Sequence, residues 1–384
     1  MRACAYVLLV AASTWALNTA DLLLEAQRRR CSNARAAFAA AVRDPMLKDP
    51  TYNPTELVSL IAAEERCTDT SVLPQHVSAD ISSRIEQLVA PAAQRLQLDR
   101  SLGSHVGPKC VASAVASAMF GNGSPDDASE AGFFRPVGVD PFTMPEEDIA
   151  EYYNPQNLFL DSVLERRKGV PVAMSIIAAD ACSQLGVPMV GLATPTSLLL
   201  APAAQPSKQV EGVAAAEEPF LLDCSTGAGV LSEDEAAAFI AADLCDVSGE
   251  DEAKVVAVGR KVLRSMRASP LTALQWGATV LRNLHDVHED AEDVVRLLGV
   301  CDRLRLIGSV SRLAVPDEES REYAEQVALC IYKLRWQQRR NEAKILLNGL
   351  LKFAEETGAS ALERARLESL LGDPWFADNG DSDE

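Results

Sequence analysis

The sequence predicts an α+β chain that is mostly helical, with a small sheet near its middle and a helical C-terminal third. Three observations carry this expectation. Of 384 residues, 48% are hydrophobic but only 5% are aromatic, and alanine is abundant; Ala, Leu, Glu and Arg are the best helix formers. Short apolar runs of strand length, Val187–Ala193, Ser197–Leu200 and Phe220–Asp223, gather in one region. Segments with helical periodicity then run almost unbroken from Leu271 to Thr357.

Taken in order, Pro54-Thr55-Glu56 opens a helix with Thr55 as its cap. Ile81, Ile85, Leu88, Val89, Ala92 and Leu96 recur at helical spacing, with Pro91 expected to kink or divide the helix. Cys110–Phe120 is a further helix, and Gly121–Pro145, rich in Gly, Pro and Asp, reads as an irregular loop. A short helix up to Arg167 and a turn at Lys168-Gly169 lead to a buried helix, Val172–Leu185, ended by Gly186 in a left-handed cap. Ala201–Glu218 is a low-complexity excursion, and Ser232 with Glu235 forms a capping box for a helix through Ala242. Leu271–His288, Asp290–Ile307, Glu318–Trp336 and Asn341–Thr357 form two helical hairpins, ending at Gly308 and Gly358, of a tetratricopeptide-like kind. The tail from Gly372 is acidic and expected to be disordered.

Composition narrows the function. There are 36 basic and 55 acidic residues, a net charge of −19, which repels phosphate backbones and argues against nucleic-acid binding. The densest basic run is Arg28-Arg29-Arg30. The nine cysteines show neither metal nor disulfide-framework spacing, and most read as small buried thiols. His285 and His288 share an i, i+3 face, read here as a solvated polar face rather than a zinc site. No metal and no cofactor is expected. Met1–Ala16 has a positive start, a short apolar run and small residues near its end, the layout of a secretory signal peptide. Residues 17–50, Ala- and Arg-rich in Gln27–Arg43, form a second targeting element or linker, with a plastid as a destination that would suit free thiols. No later segment is long and apolar enough to span a membrane.

The most informative stretch is Tyr152–Ser175, Y-Y-N-P-Q-N-L-F-L-D-S-V-L-E-R-R-K-G-V-P-V-A-M-S. With Pro155, Asn157, Leu160, Val163, Leu164, Arg167, Gly169, Pro171, Leu185 and Gly186 in order, it resembles the SirB-one (invasion-regulator type) family of the transglutaminase-like superfamily. Gly191, Pro195, Ser197, the Leu198–Leu200 run, and Leu222-Asp223 before Gly227 and Gly229 continue the resemblance, which covers roughly 55–371. It implies a papain-like core at 51–248, a tetratricopeptide-like helical domain at 249–371 and an acidic tail at 372–384.

In active relatives, the resemblance implies, a Cys at the start of the central helix attacks a carbonyl, a His takes its proton and an Asp orients the His. Here those positions fall at or near Pro171, Ser197 and Asp223. Proline offers no nucleophile, and a hydroxyl is no base of useful pKa. The chain is therefore expected to be a non-catalytic regulatory or interaction protein, binding a protein partner through its C-terminal helices. The alternative is a thiol-dependent hydrolase or acyl transferase that uses Cys110, which opens a helical run after Gly107-Pro108-Lys109 with His105 near in sequence. The simpler reading of Cys110 is a partly buried thiol. Cys182 reads as core, and Asp223 as a turn acceptor once its histidine is gone.

Overall fold

The structure, a computed structural model, describes residues 34–65, 74–104, 106–121, 134–136, 154–193, 198–203, 218–227, 229–244, 252–334, 339–357 and 361–376. The signal-peptide expectation for Met1–Ala16 lies outside them. Within the segment 17–50, residues 34–42 form helix α1, followed by a 3-10 turn at Pro45–Lys48 that Asp44 caps. Phe38, Val42 and Leu47 are buried in the main core, so this part of the expected linker is structural.

Helix α2 spans Thr55–Glu65. Its first turn is held by Asn53, whose side-chain oxygen accepts from the Thr55 N–H at 2.9 Å; Thr55 itself is buried, which corrects its expected role as the cap. Helix α3 runs Pro74–Ser101 straight through Pro91. Buried Ile85, Val89, Ala92 and Leu96 anchor it on both sides while Pro91 faces solvent, so packing outweighs the lost backbone donor. Helix α4 is Pro108–Phe120. The expected loop after it contains a two-residue strand, β1 (Arg135–Pro136), preceded by the buried Phe134. It pairs in parallel with β2 (Lys168–Gly169), where the sequence suggested only a turn.

A 3-10 turn at Pro155–Asn157 and helix α5 (Leu160–Arg166) lead into the central helix α6, Pro171–Gln184. Eleven of its residues, Val172 through Cys182, are buried without a break, which is why its apolar run shows no amphipathic period. Its end is a Schellman cap. The Gly186 N–H donates to the Ser183 carbonyl and the Val187 N–H to the Cys182 carbonyl, with Gly186 at φ +87.

Helix α6 packs on an antiparallel meander of β3 (Met189–Ala193), β4 (Leu198–Pro202), β5 (Phe220–Asp223) and β6 (Gly229–Ser232). Strand β6 was missed, hidden between the Gly turn and the capping box. Side chains alternate between two cores: Met189, Leu198, Leu200, Phe220 and Leu222 join the core of α6, while Val190, Leu192, Leu199, Ala201 and Leu221 face the other way. That second face is covered by α7 (Glu233–Leu244) and α8 (Glu252–Ala268) through Ala236, Ile240 and Leu263. Burial on both faces explains the uninterrupted Leu198-Leu199-Leu200. Ala201 and Pro202 belong to β4, not to the excursion assigned at Ala201–Glu218, of which 204–217 lie outside the described residues. Helix α7 opens with the expected box: the Ser232 N–H donates to Glu235 at 2.7 Å, and the Glu235 N–H returns to Ser232 at 3.2 Å. Helix α8 was not read from the sequence. It lies so close to α7 that a Cβ on Gly259 would sit 1.8 Å from the Ala237 carbonyl oxygen.

Five further helices follow: α9 (Ala273–Asp290), α10 (Val294–Val310), α11 (Asp317–Lys333), α12 (Arg340–Thr357) and α13 (Ala361–Leu371), each packed on the next. Thr272 and Gln275 form a capping box on α9. Gly308 does not end a helix, as the sequence suggested. It lies inside α10, where a Cβ would come within 2.9 Å of the Ser320 hydroxyl of α11, so it serves helix approach. Gly358 lies outside the described residues. The start of the expected disordered tail is packed: Pro374–Phe376 form a 3-10 turn, and Phe376 is 1% exposed and stacks on Tyr332. Residues 377–384 lie outside the described set.

Two glycines separate steric from conformational need. At Gly259 an added methyl meets backbone that has nowhere to move, whereas at Gly186 it meets open space but keeps a positive φ. Gly259→Ala is expected to cost about 2–3 kcal/mol or more by overpacking, and Gly186→Ala about 1 kcal/mol by left-handed strain. Urea unfolding checks this, and the reverse order contradicts the packing described.

Candidate functional site

The candidate site is the entrance to α6 and the end of β5 beside it. Each residue at the entrance has a visible structural task. The buried Asn157 accepts the Val170 N–H on its carbonyl at 3.0 Å and an Arg166 guanidinium N–H on its side-chain oxygen at 3.0 Å. Arg167 ends α5 in the left-handed conformation, φ 55, with its guanidinium 4.7 Å above the Phe134 ring. Burial lowers its pKa from the usual arginine value. At Gly169 a Cβ would meet Val163 at 2.7 Å. Pro171 is the first residue of α6, following Val170, which caps without a side-chain hydrogen bond. Proline suits that position because the first N–H of a helix has no partner within it.

At the other side, the Asp223 carboxylate is 1% exposed and folded onto its own turn. It accepts from the Ser225 N–H at 2.7 Å, the Ser225 hydroxyl at 2.5 Å and the Thr226 hydroxyl. That is an Asx-type turn, and it leaves the carboxylate oxygens occupied. Leu199 of β4 is paired with Asp223 across the sheet. Pro195 and Ser197 lie outside the described residues, as does His105.

The thiols around α6 are sealed. Burial pushes the Cys182 thiol up to about 12. Burial, then the neighbouring Asp223 charge, pushes Cys224 well above the ordinary thiol range. The buried Ser175 hydroxyl lies beside Cys224 but out of good hydrogen-bond geometry. Such thiols are not nucleophiles at neutral pH. Cys110, by contrast, is exposed in the first turn of α4, which corrects the partly buried reading.

A second cluster of chemistry-bearing residues lies in the helical tail, and it overturns the expectation of a solvated histidine face. His288 is 2% exposed and its Nε2 lies 3.0 Å from Glu65 at the end of α2. The other Glu65 oxygen accepts from Arg303 at 2.6 Å, and Arg303 is buried. Around them Arg35, Glu64, Asp302, Arg339 and Glu342 continue the charge network. His285 is buried too, with Nε2 at 2.6 Å from the side-chain oxygen of Gln326, which also accepts from the Cys301 thiol at 3.1 Å. Gln326 thus bridges thiol and imidazole, and burial pushes Cys301 far up, so the pair is structural. Among the described residues no group of three or more His, Cys, Asp or Glu could hold a metal ion, and no helix is long and apolar enough to cross a membrane.

Residues 145–266, which hold α5, α6, the sheet and α7, match the transglutaminase-like superfamily, so the chain carries a transglutaminase-like domain. It is 38% identical over 50 residues to a UPF0162 protein of Xylella fastidiosa, covering 13% of this chain and 18% of that protein. A UPF0162 protein of Vibrio cholerae is 40% identical over 53 residues, 14% of this chain and 20% of its own length. F-box only protein 21 of the mouse is 42% identical over 50 residues, 13% of this chain and 8% of that protein. The chain thus matches only a small share of these curated relatives. No solved structure matches it.

The charge cluster fixes a pH dependence. Burial alone would raise the Glu65 pKa, but the His288 hydrogen bond and the Arg303 charge outweigh it and hold the carboxyl below its usual value. A depressed carboxyl stabilises the fold above its unfolded pKa of about 4.3 and loses that contribution as pH falls through the lower folded value. Glu65→Gln is expected to cost about 3 kcal/mol at neutral pH, because Arg303 loses a buried counter-charge. It should also flatten the loss of stability below about pH 4. Urea unfolding of both proteins across that range checks this, and parallel pH profiles contradict it.

Proposed function

We propose that this chain is a non-catalytic regulatory or protein-interaction protein of the SirB-one type, its core a transglutaminase-like platform and its tetratricopeptide-like tail the part that binds a protein partner. The observation that carries this reading is Pro171 at the first position of α6, where the resemblance puts the attacking thiol. Catalysis by this template needs a thiolate with a base in reach and a third group to orient the base. The nearby thiols are buried with raised pKa values, and the Asp223 carboxylate is engaged by Ser225 and Thr226. The helical array of α9 to α13 supports the binding role, because stacked helical hairpins offer extended surfaces for peptides or helices. We further propose the division into a core at 51–248 and a helical domain at 249–371, with a targeting segment at 1–16 and a plastid as the destination.

One observation favours the thiol-enzyme alternative: Cys110 is exposed in the first turn of α4 and open to a substrate. Labelling of the full chain with a thiol-reactive probe separates the two readings. The non-catalytic reading expects Cys110 to react at the rate of an ordinary exposed thiol, and Cys182, Cys224 and Cys301 to react only on unfolding. Rapid, stoichiometric labelling of Cys110 that His105→Ala abolishes would establish the enzyme instead. Fast labelling that survives His105→Ala reports an exposed thiol and leaves the non-catalytic reading standing.

A further inference from the structure

Helices α9 and α11 both pack on α10, and across it their side chains meet at His285. The ring is buried. Its Nε2 lies 2.6 Å from the side-chain oxygen of Gln326, and its Nδ1 lies 3.2 Å from the Asp286 carboxylate. The Tyr323 ring meets it edge to face, with centroids 5.6 Å apart. A hydrogen-bond inventory fixes the proton count. An ionised carboxylate only accepts, so Nδ1 donates to Asp286. Gln326 could turn either end of its amide to Nε2, but the same end faces the Cys301 thiol at 3.1 Å. Burial pushes that thiol far above the ordinary range, so it keeps its proton at neutral pH and seeks an acceptor. The Gln326 oxygen is that acceptor, and Nε2 donates to it as well. Only the imidazolium carries two N–H groups.

The groups around the ring suit that charge. Glu289 of the same helix lies 3.8 Å from Nδ1, α11 brings Glu319 and Tyr323, and α10 brings the Cys301 thiol. The nearby Arg282 is neutralised by Glu319 at 2.5 Å. Burial alone would lower the His285 pKa, but the Asp286 and Gln326 hydrogen bonds and the Glu289 charge outweigh it and raise it above the ordinary histidine value. Once the proton leaves, one ring nitrogen turns a lone pair towards an oxygen. At Asp286, which is 69% exposed, water can take the vacated place. At Gln326, inside the seam, the amide must swing over and set its N–H donors against the Cys301 thiol, or the contact opens.

We infer that His285 is a proton-operated latch between α9 and α11, closed while the imidazolium bridges Asp286 and Gln326 and released as rising pH removes its proton. A group whose folded pKa exceeds its unfolded value, about 6.5 for histidine, contributes its stability in full below that value and loses it as pH rises through the folded one. The latch therefore loosens on the alkaline side, whereas the Glu65 carboxyl weakens the fold in acid. The inference concerns the packing of the tail and holds whether or not the tail binds a partner.

Two measurements on the full chain test it. Nitrogen NMR of labelled histidine should show both His285 ring nitrogens protonated at about pH 7, with the proton lost at higher pH than from an ordinary histidine. The chain has four histidines, and His285→Gln identifies the signal. Should that variant fail to fold, Gln326→Glu identifies it, because a carboxylate in place of the amide should move the titration to higher pH. Hydrogen exchange from about pH 6 to about pH 9, corrected for intrinsic rates, should show amides of α9 and α11 beside the latch losing protection as the proton leaves. The loss should reach about tenfold for each unit between the folded and unfolded pKa. His285→Gln should remove this pH dependence, and Gln326→Glu should carry it to higher pH. A neutral ring with one protonated nitrogen at about pH 7 overturns the proposal, as does protection that stays constant through the titration. Loss of protection that persists in His285→Gln assigns the response to another group and overturns it equally.

Discussion

A guanidinium taken wholly out of water must be met by charge, and Arg303 is such a group. It is 1% exposed, and it reaches Glu65 at 2.6 Å, Glu64 at 3.4 Å and the Ile61 carbonyl at 3.3 Å, all on α2. Residues more than 230 positions apart are thereby pinned at the junction of α2 and α10. His288 from α9 adds a third element through Glu65, Arg35 from α1 reaches Asp302 at 3.1 Å, and Arg339 before α12 reaches the same carboxylate at 2.8 Å. Breaking such a pair on one side leaves a buried charge, which costs far more than the intact pair contributes. Apolar contacts run through the same junction: Gly277 of α9 lets Leu57 of α2 approach so closely that a Cβ would lie 2.7 Å from it. Gly191 of β3 does the same for Trp276 of α9, and its carbonyl accepts the Leu271 N–H at 2.9 Å. The transglutaminase-like part and the helical tail therefore share one core.

Within that core, the motif carrying the family resemblance acts as construction. Asn157 holds Val170, Arg167 turns the chain at a positive φ and covers Phe134, Gly169 makes room for Val163, Pro171 starts α6 and Gly186 closes it. The same logic applies to Asp223, whose oxygens are spent on its own turn.

The legible part of the fold was whatever local sequence dictates. The α6 helix with its glycine cap, the Ser232–Glu235 box, strands β3 to β5 and the four long tail helices follow from periodicity and capping. What was missed depended on distant partners. Strand β1 exists only because Lys168-Gly169 pairs with it, and Pro91 fails to break α3 because buried residues hold both sides. Helix α8 is the exception, since Val255, Gly259, Val262, Leu263 and Met266 recur at helical spacing in its own sequence, and only its close approach to α7 at Gly259 depends on a distant partner. The histidines were misread for the same reason: i, i+3 spacing says which face they share, but only the tertiary fold brings Glu65 and Gln326 to them. In the candidate site, Asp223 as a turn acceptor was readable from the Ser and Thr that follow it. The exposure of Cys110 and the seal over Cys224 were not, since burial is set by the helices packed above.

If the buried charge cluster makes the chain one folding unit, disturbing it should be felt at the far end of the core. Native-state hydrogen exchange on Arg303→Ala tests this directly. The account predicts that amides of α6, which carries none of the cluster's residues, lose protection together with those of α10 and α11 and by a similar factor. Loss of protection confined to the tail helices, with α6 at its wild-type level, would contradict it.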